Sequence, residues 1–249
     1  MNIKNINNKI KIKDIKKHTF NFNDIELNVL TYKKAIIYDK RTYGQYYCSL
    51  IKQKHLILFT FISKIDYNLF INKFSLLVNS FSLYFTVNTL FFDNDTIYKN
   101  YVALGKLKYN ILQIIYSTLI SSTITFFVKL LALSNNSIIR LKNIKNNNRK
   151  KALKNSIKLI NQLYFKFNIY NLISIILLVL FWYLISAFCS VYNNSQLLLF
   201  ESTLFSFGLS LIYPFALNLL PGIFRISALR AKDKDSNKLH LFANFISVI

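Results

Sequence analysis

The chain reads as an all-α integral membrane protein: about four transmembrane helices in a bundle, with a basic cytoplasmic amino-terminal segment and a basic middle loop. Long charge-free windows predict the helices, and the alternation of basic and weakly charged connections predicts their orientation. Composition argues against a soluble fold. Hydrophobic residues make up 53% of the 249 positions and aromatics 16%, against four glycines and two prolines. A net charge of +22 would on its own suggest nucleic acid. Nucleic-acid binders, however, do not keep their charges out of whole helix lengths, so no nucleic-acid partner is expected. The excess of Asn, Lys, Ile, Phe and Tyr follows an AT-rich coding bias, so single Asn and Lys residues carry little weight.

Nineteen uncharged residues separate Lys73 from Asp93, and twenty separate Lys108 from Lys129. Thirty-four lie between Lys166 and Glu201, and twenty-three between Glu201 and Arg225. A helix of about 20 apolar residues crosses the ~30 Å hydrocarbon layer. Spans are therefore expected near 74–92, 111–133, 169–191 and 204–224. Lys129 stands four residues before the end of the second, about 6 Å at ~1.5 Å per residue, and its side chain can reach the headgroups. Residues 1–73 then form a basic cytoplasmic and interfacial segment, 74–224 the membrane domain and 225–249 a cytoplasmic tail. The stretch 55–63 (HLILFTFIS) is too short to cross and reads as an interfacial or re-entrant lead into the first span. The first residues (MNIKNINNKIKIKDIKK) lack the apolar core and cleavage pattern of a signal peptide.

Lysines and arginines are sorted by side. Residues 1–73 carry 14, residues 134–168 carry 9 and residues 225–249 carry 5, whereas 93–110 carries three and 192–201 none. Basic loops mark the cytoplasm, so both ends and the middle loop are placed there. Such segments are attracted to anionic headgroups, which accounts for the charge and makes the bilayer itself the first expected partner. In the middle loop, Leu153, Ile157, Ile160 and Tyr164 recur at helical spacing, so the third helix is expected to begin before the membrane. The run Asn146–Asn148 marks the turn. The loop is either a solvated basic surface or a phosphoinositide site.

No constellation for chemistry stands out, and no enzyme activity or cofactor is expected. Cys48 and Cys189 fall on opposite sides of the predicted bilayer and cannot bridge. His18, His55 and His240 lack metal-ligand spacing, and four scattered glycines build no phosphate loop. Inside the spans the polar groups are uncharged. Asn79, Asn88, Ser121, Ser122 and Asn218 are candidates for hydrogen bonds between helices, with a polar pathway as the competing reading. No Asp or Glu lies in a core span, so a pump-like proton relay lacks its usual residues. Pro214 is expected to kink the fourth helix. Pro221 and Gly222 loosen its end just before Arg225 and Arg230, at headgroup depth. This elbow either docks on the basic 134–168 loop or a partner, or Arg225 is simply the charge that stops transfer. Glycosylation sequons at Asn94 and Asn193 fall in the two outer loops, and a third at Asn135 falls inside.

Several strings go beyond composition: DKRTYGQYYCSLIKQKHLILFTF (39–61), FSLYFTVNTLFFDNDTIYKNY (81–101), IIYSTLISSTITFFVKLLALS (114–134), FWYLISAFCSVYNNSQ (181–196) and SFGLSLIYPFALNLLPGIFRISALR (206–230). In this order the chain resembles an uncharacterised family of multispanning membrane proteins of protists over about residues 24–240. More distantly, over about 50–225, it is similar to the membrane region of polycystin-like proteins. The features that carry that likeness are an Asn-containing aromatic cluster (87–92), a Ser-rich span (119–122), a "SAF" span (186–188) and a "SF-LS" span (206–210). The chain shows no lipase-like β-sandwich, large extracellular domain or pore-forming final helix pair of that family. The resemblance implies a non-enzymatic component or fragment of a channel assembly, surrounding a pore without forming one. Rival readings are a small oligomeric transporter or channel, and an assembly factor of an organelle membrane.

Overall fold

The computed structural model describes residues 22–63, 66–92, 98, 111–143, 149–231 and 235–247. Every regular element among them is a helix. Four short helices come first: α1 (Asp24–Asn28), α2 (Tyr32–Tyr38), α3 (Tyr43–Lys54) and α4 (Leu56–Phe61). Their starts are written in the sequence. Asn23 with Glu26, and Thr42 with Gln45, close reciprocal capping boxes that satisfy the free N–H groups of α1 and α3. His55 both ends α3 and accepts the Leu58 N–H through Nδ1, so the expected interfacial stretch folds as the single turn-and-a-half of α4.

The long helices follow: α5 (Phe70–Leu90), α6 (Ile111–Ala132), α7 (Asn135–Asn143), α8 (Arg149–Val191) and α9 (Gln196–Leu217), with α10 (Leu219–Ala231) and α11 (Ser236–Ile246) closing the chain. Three helices are long and apolar enough to cross a membrane by length and composition: Ile111–Ala132, Lys151–Val191 and Gln196–Ala231. Helix α5, which contains most of the first expected span, is 21 residues long but is not among them. It lies at the centre, packed against α6, α8 and α9, and its buried side includes Asn72, Asn79, Ser80, Ser82, Thr86 and Asn88.

The bundle has two well-marked ends. At one, the Ser134 N–H donates to Asn68 Oδ1 at 2.8 Å and the Tyr67 N–H to Asn135 Oδ1 at 2.9 Å, tying the start of α5 to the end of α6. At the other, Phe92, Phe188 and Leu199 form one apolar cluster and Phe91 stacks on Tyr116 at 6.5 Å. Helices α5 and α8 therefore run one way and α6 and α9 the other. Between the ends, Leu83, Val87 and Phe181 pack together, as do Leu76, Ala132 and Tyr170.

Helix α8 has 43 residues, about 65 Å at ~1.5 Å per residue, roughly twice the hydrocarbon thickness. Its first turns run past the bundle beside α7, with Leu153, Ile157, Ile160 and Tyr164 exposed, as the helical spacing of those residues led one to expect. The run Asn146–Asn148 lies outside the described residues. The fourth expected span, 204–224, straddles a break. The helix runs through Pro214 and stops at Asn218, whose N–H and side-chain amide both donate to the Pro214 carbonyl, at 3.1 and 2.6 Å. Pro221 then sits in the first turn of α10. There its missing N–H and fixed φ suit a helix start, so the residue begins a helix where the sequence suggested a loosened end.

Candidate functional site

The first-end elements are held together by a buried charge cluster built from residues nearly two hundred positions apart. The α3 capping box sets Tyr46 and Ser49 on the inner face of α3. Asp39 caps the end of α2. Its carboxylate accepts from Arg41 Nε at 2.8 Å and Nη2 at 2.9 Å, and from Arg225 Nη2 at 3.2 Å. Arg225 also donates to the carbonyls of Leu27 (2.7 Å) and Asn28 (3.1 Å) and to Asn244 Oδ1 (2.8 Å). The Tyr46 ring lies against both guanidiniums, 5.3 Å from Arg41 and 5.2 Å from Arg225. Arg225 and Tyr46 are fully buried. Only arginine offers a planar fork of donors that serves a carboxylate and several carbonyls at once.

Electrostatics follow from this burial. Desolvation pushes the Asp39 carboxyl up, but the hydrogen bonds and charges of Arg41 and Arg225 outweigh it and hold the group below the ordinary carboxylate range. Burial raises the Tyr46 hydroxyl. His240, enclosed beside Tyr32 with ring centroids 5.5 Å apart, is lowered to about 4 by burial and by the Arg225 charge. Two further ion pairs brace the same end. Glu26 takes Lys142 and the Tyr67 hydroxyl (2.7 Å), joining α1 to α7 and to the start of α5. Burial opposes ionisation of Glu26, yet those hydrogen bonds keep it lowered. Lys73 holds Asp66 at 3.2 Å, both nearly buried, and donates to the Ser63 carbonyl.

The cluster corrects the expectation for Arg225. Its guanidinium is buried against Leu27, Asn28, Asp39, Tyr46 and Asn244, so the elbow docks on the amino-terminal segment and α11; among the described residues no hydrogen bond or ion pair joins Arg225 to the 134–168 loop. Arg230 is exposed. Gly222 lets the α3 side come close: a Cβ there would stand 2.7 Å from the Tyr43 ring. Sequence reasoning missed Asp39, Arg41, Tyr46, Asn28 and Asn244. One signal was present, an acid followed by two bases (Asp39, Lys40, Arg41) in a chain with only ten acids.

The predicted helix-to-helix contacts divide. Asn79 donates from α5 to Ser174 of α8 at 2.5 Å. Asn88 donates to Ser206 of α9 at 3.3 Å, and Ser206 pairs with Ser117 of α6 at 2.8 Å. Ser121 is buried with an unpartnered hydroxyl. Ser122 bonds back to Leu119 and Asn218 to Pro214, each within its own helix. Asn193 is exposed in a turn, whereas Asn94 lies outside the described residues. Cys48 and Cys189 are both free thiols, Cys48 exposed on the outer face of α3 and Cys189 against the far-end cluster. These contacts tie the amino-terminal helices, α10, α11 and the long helices together. No family model, curated protein or solved structure matches the chain.

Proposed function

We propose that the chain is a non-enzymatic four-span membrane protein that acts as one component of a polycystin-like channel assembly, flanking a pore formed elsewhere. The observation that carries this reading is the use made of the central helix. The polar groups of α5 at Asn79 and Asn88 are spent on α8 and α9, and the layers between are filled by Leu76, Leu83, Val87, Tyr170 and Phe181. A bundle so filled is a wall or support. Lipid and partner subunits are the natural occupants of its outer face, where Leu172, Ile176, Val179 and Trp182 are exposed.

Parity supports the fourth crossing. Residues 27–46 and 219–244 meet at the same end of the bundle, so the chain between them traverses it an even number of times. With α6, α8 and α9 as three crossings, α5 supplies the other; its 21 residues reach about 31 Å at ~1.5 Å per residue. The basic character of this end supports a cytoplasmic location for it. A second reading, a small oligomeric transporter, draws on buried hydroxyls without partners at Ser80, Ser82, Ser121 and Thr203.

The test is reconstitution of the purified chain in liposomes, together with cross-linking in intact membranes. The chain alone should pass no ions above empty vesicles, and it should cross-link to a larger multispanning subunit. Conductance by the chain alone would overturn the supporting role in favour of the transporter.

A further inference from the structure

The first turns of α8 carry an apolar stripe that no described residue covers. Leu153, Ile157, Ile160 and Tyr164 are between 51% and 70% exposed. Their spacing of four, three and four residues matches the a and d positions of a heptad, the seam by which one helix grips another. At ~100° per residue the four fall within an arc of about 60°. Lys154 and Lys158, both exposed and a turn apart, follow one edge of that arc. Neither makes an ion pair among the described residues, and residues 96–200 contain no Asp or Glu.

Length and charge set aside three other occupants. Lys166 donates to the Leu133 carbonyl at 2.5 Å and Tyr170 packs with Leu76 and Ala132, so the bundle ends at that level of α8. Leu153 stands thirteen residues earlier on the same unbroken helix, about 20 Å away at ~1.5 Å per residue. A headgroup layer is only about 5–8 Å deep, so a helix that crosses the bilayer carries Leu153 and Ile157 clear of lipid. A second copy of the chain would set the six basic residues of 149–168, a stretch without an acid, against the same six, and like charges across an interface repel. Residues 1–21 are no better matched, with six lysines against one acid. The occupant that fits is a helix of opposite charge with an apolar seam of its own.

We propose that the first five turns of α8 pair with one acidic amphipathic helix of a partner protein. The partner's apolar seam covers Leu153, Ile157, Ile160 and Tyr164, and its carboxylates meet Lys154 and Lys158. The position of this face clear of the bilayer rests on the reading of α8 as a membrane span. Apolar burial supplies most of the affinity, and the lysines select the partner by charge.

The probe is a fluorescent helical peptide of about three heptads, with Leu at a and d and Glu at e and g, where the glutamates keep it from pairing with itself. It is titrated by fluorescence anisotropy against the full chain in phosphatidylcholine nanodiscs. Wild type should bind one peptide, more weakly as salt rises. Ile157→Ser, in the middle of the seam, should weaken binding by about tenfold or more. Lys154→Glu combined with Lys158→Glu should bind the Glu peptide more weakly than wild type does, and the same peptide with Lys in place of Glu more tightly. That gain is a signal misfolding could not give. No binding by wild type, or no change of preference in the double variant, would overturn the proposal. So would a wild-type dimer in sedimentation that Ile157→Ser converts to a monomer, which would give the face to a second copy. A fluorophore attached through Ile157→Cys, in a Cys48→Ser, Cys189→Ser background, should stay unquenched by nitroxide-labelled headgroups in nanodiscs containing phosphatidylglycerol. Quenching would lay this helix on the membrane and refute the site. A chain that does not enter nanodiscs would instead refute the reading of α8 as a span.

Discussion

Replacing Arg225 by alanine should release the amino-terminal helices from α10 and α11 while leaving the long helices in place. The substitution removes the donors to Leu27 O, Asn28 O and Asn244 Oδ1 and one of two arginines on Asp39. Removing one partner of a buried ion pair costs about 3–5 kcal/mol. Asp39 keeps Arg41 at 2.8 Å, so no bare carboxylate remains and the lower figure, about 3 kcal/mol, applies. That is about a hundredfold in the equilibrium for local opening. Hydrogen exchange read by mass spectrometry gives the measurement. Amides of α1, α2 and α11 should lose about two decades of protection, and those of α6 and α9 should stay unchanged. Arg225→Lys should recover little, because three donors on a single nitrogen cannot span the four acceptors, Asp39, Leu27 O, Asn28 O and Asn244 Oδ1, that the guanidinium fork reaches. A loss of less than about fivefold in the first group would refute the lock, and equal loss in α6 and α9 would refute its local character.

Three further outcomes follow from the same contacts. His240 is lowered to about 4 when folded, against ~6.5 unfolded. The unfolded segment therefore takes up the proton first, so stability is complete above about 6.5 and falls as pH drops toward about 4, by at most ~1.4 kcal/mol per pH unit. His240→Gln should flatten that dependence in acid-unfolding curves. Below it, protonation of Asp39 and Glu26, both lowered, removes the remaining pairs. Gly222→Ala should push the Tyr43 ring aside and cost about 1–3 kcal/mol, read as protease sensitivity near α3, whereas Gly208→Ala, which meets nothing within 4 Å, should be silent. Asn88→Leu should weaken the α5–α9 contact by about 0.6–2 kcal/mol in detergent unfolding, with Ser206→Ala giving an overlapping loss because the two share one hydrogen bond.

Local signals in the sequence located helices well and partners poorly. The charge-free windows after Lys108 and Lys166 overlap two of the three helices long and apolar enough to cross a membrane, Ile111–Ala132 and Lys151–Val191, since a charge is costly wherever a helix is shielded from water. The stripe Leu153–Ile157–Ile160–Tyr164 revealed the early start of α8. The fourth expected span, 204–224, lies within Gln196–Ala231; the helix itself begins at Gln196 and carries the exposed acid Glu201, the edge of the charge-free window, within it. The charge cluster was illegible for a different reason. Asp39 and Arg225 are 186 positions apart, and no periodicity links them. In a basic chain, however, each acid is scarce, and Asp24, Glu26, Asp39, Asp66 and Asp235 all hold a lysine or arginine. Scarcity itself was the clue that an arginine expected at the lipid surface had an acid waiting inside.

The same logic explains why α5 falls short as an apolar helix yet is proposed as a crossing. Asn and Ser lower hydropathy whether they face lipid or another helix, but their cost differs. Facing lipid they are unsatisfied; facing α8 and α9 they bond to Ser174 and Ser206. A helix touched by three others can therefore be polar and still span. Topology makes the idea testable. If α5 did not cross, residues 27–46 and 219–244 would lie on opposite sides of the membrane, and the 2.7 Å bond from Arg225 to Leu27 O could not form. Cys48 is exposed on α3, and Phe245 is exposed on α11. In a Cys189→Ser background, Cys48 and a Phe245→Cys substitution should react with a membrane-impermeant thiol reagent from one side only, and the same side. Asn193→Cys, in the turn at the far end, should react from the other. Labelling of Cys48 and position 245 from opposite sides would leave three crossings and remove α5 from the membrane.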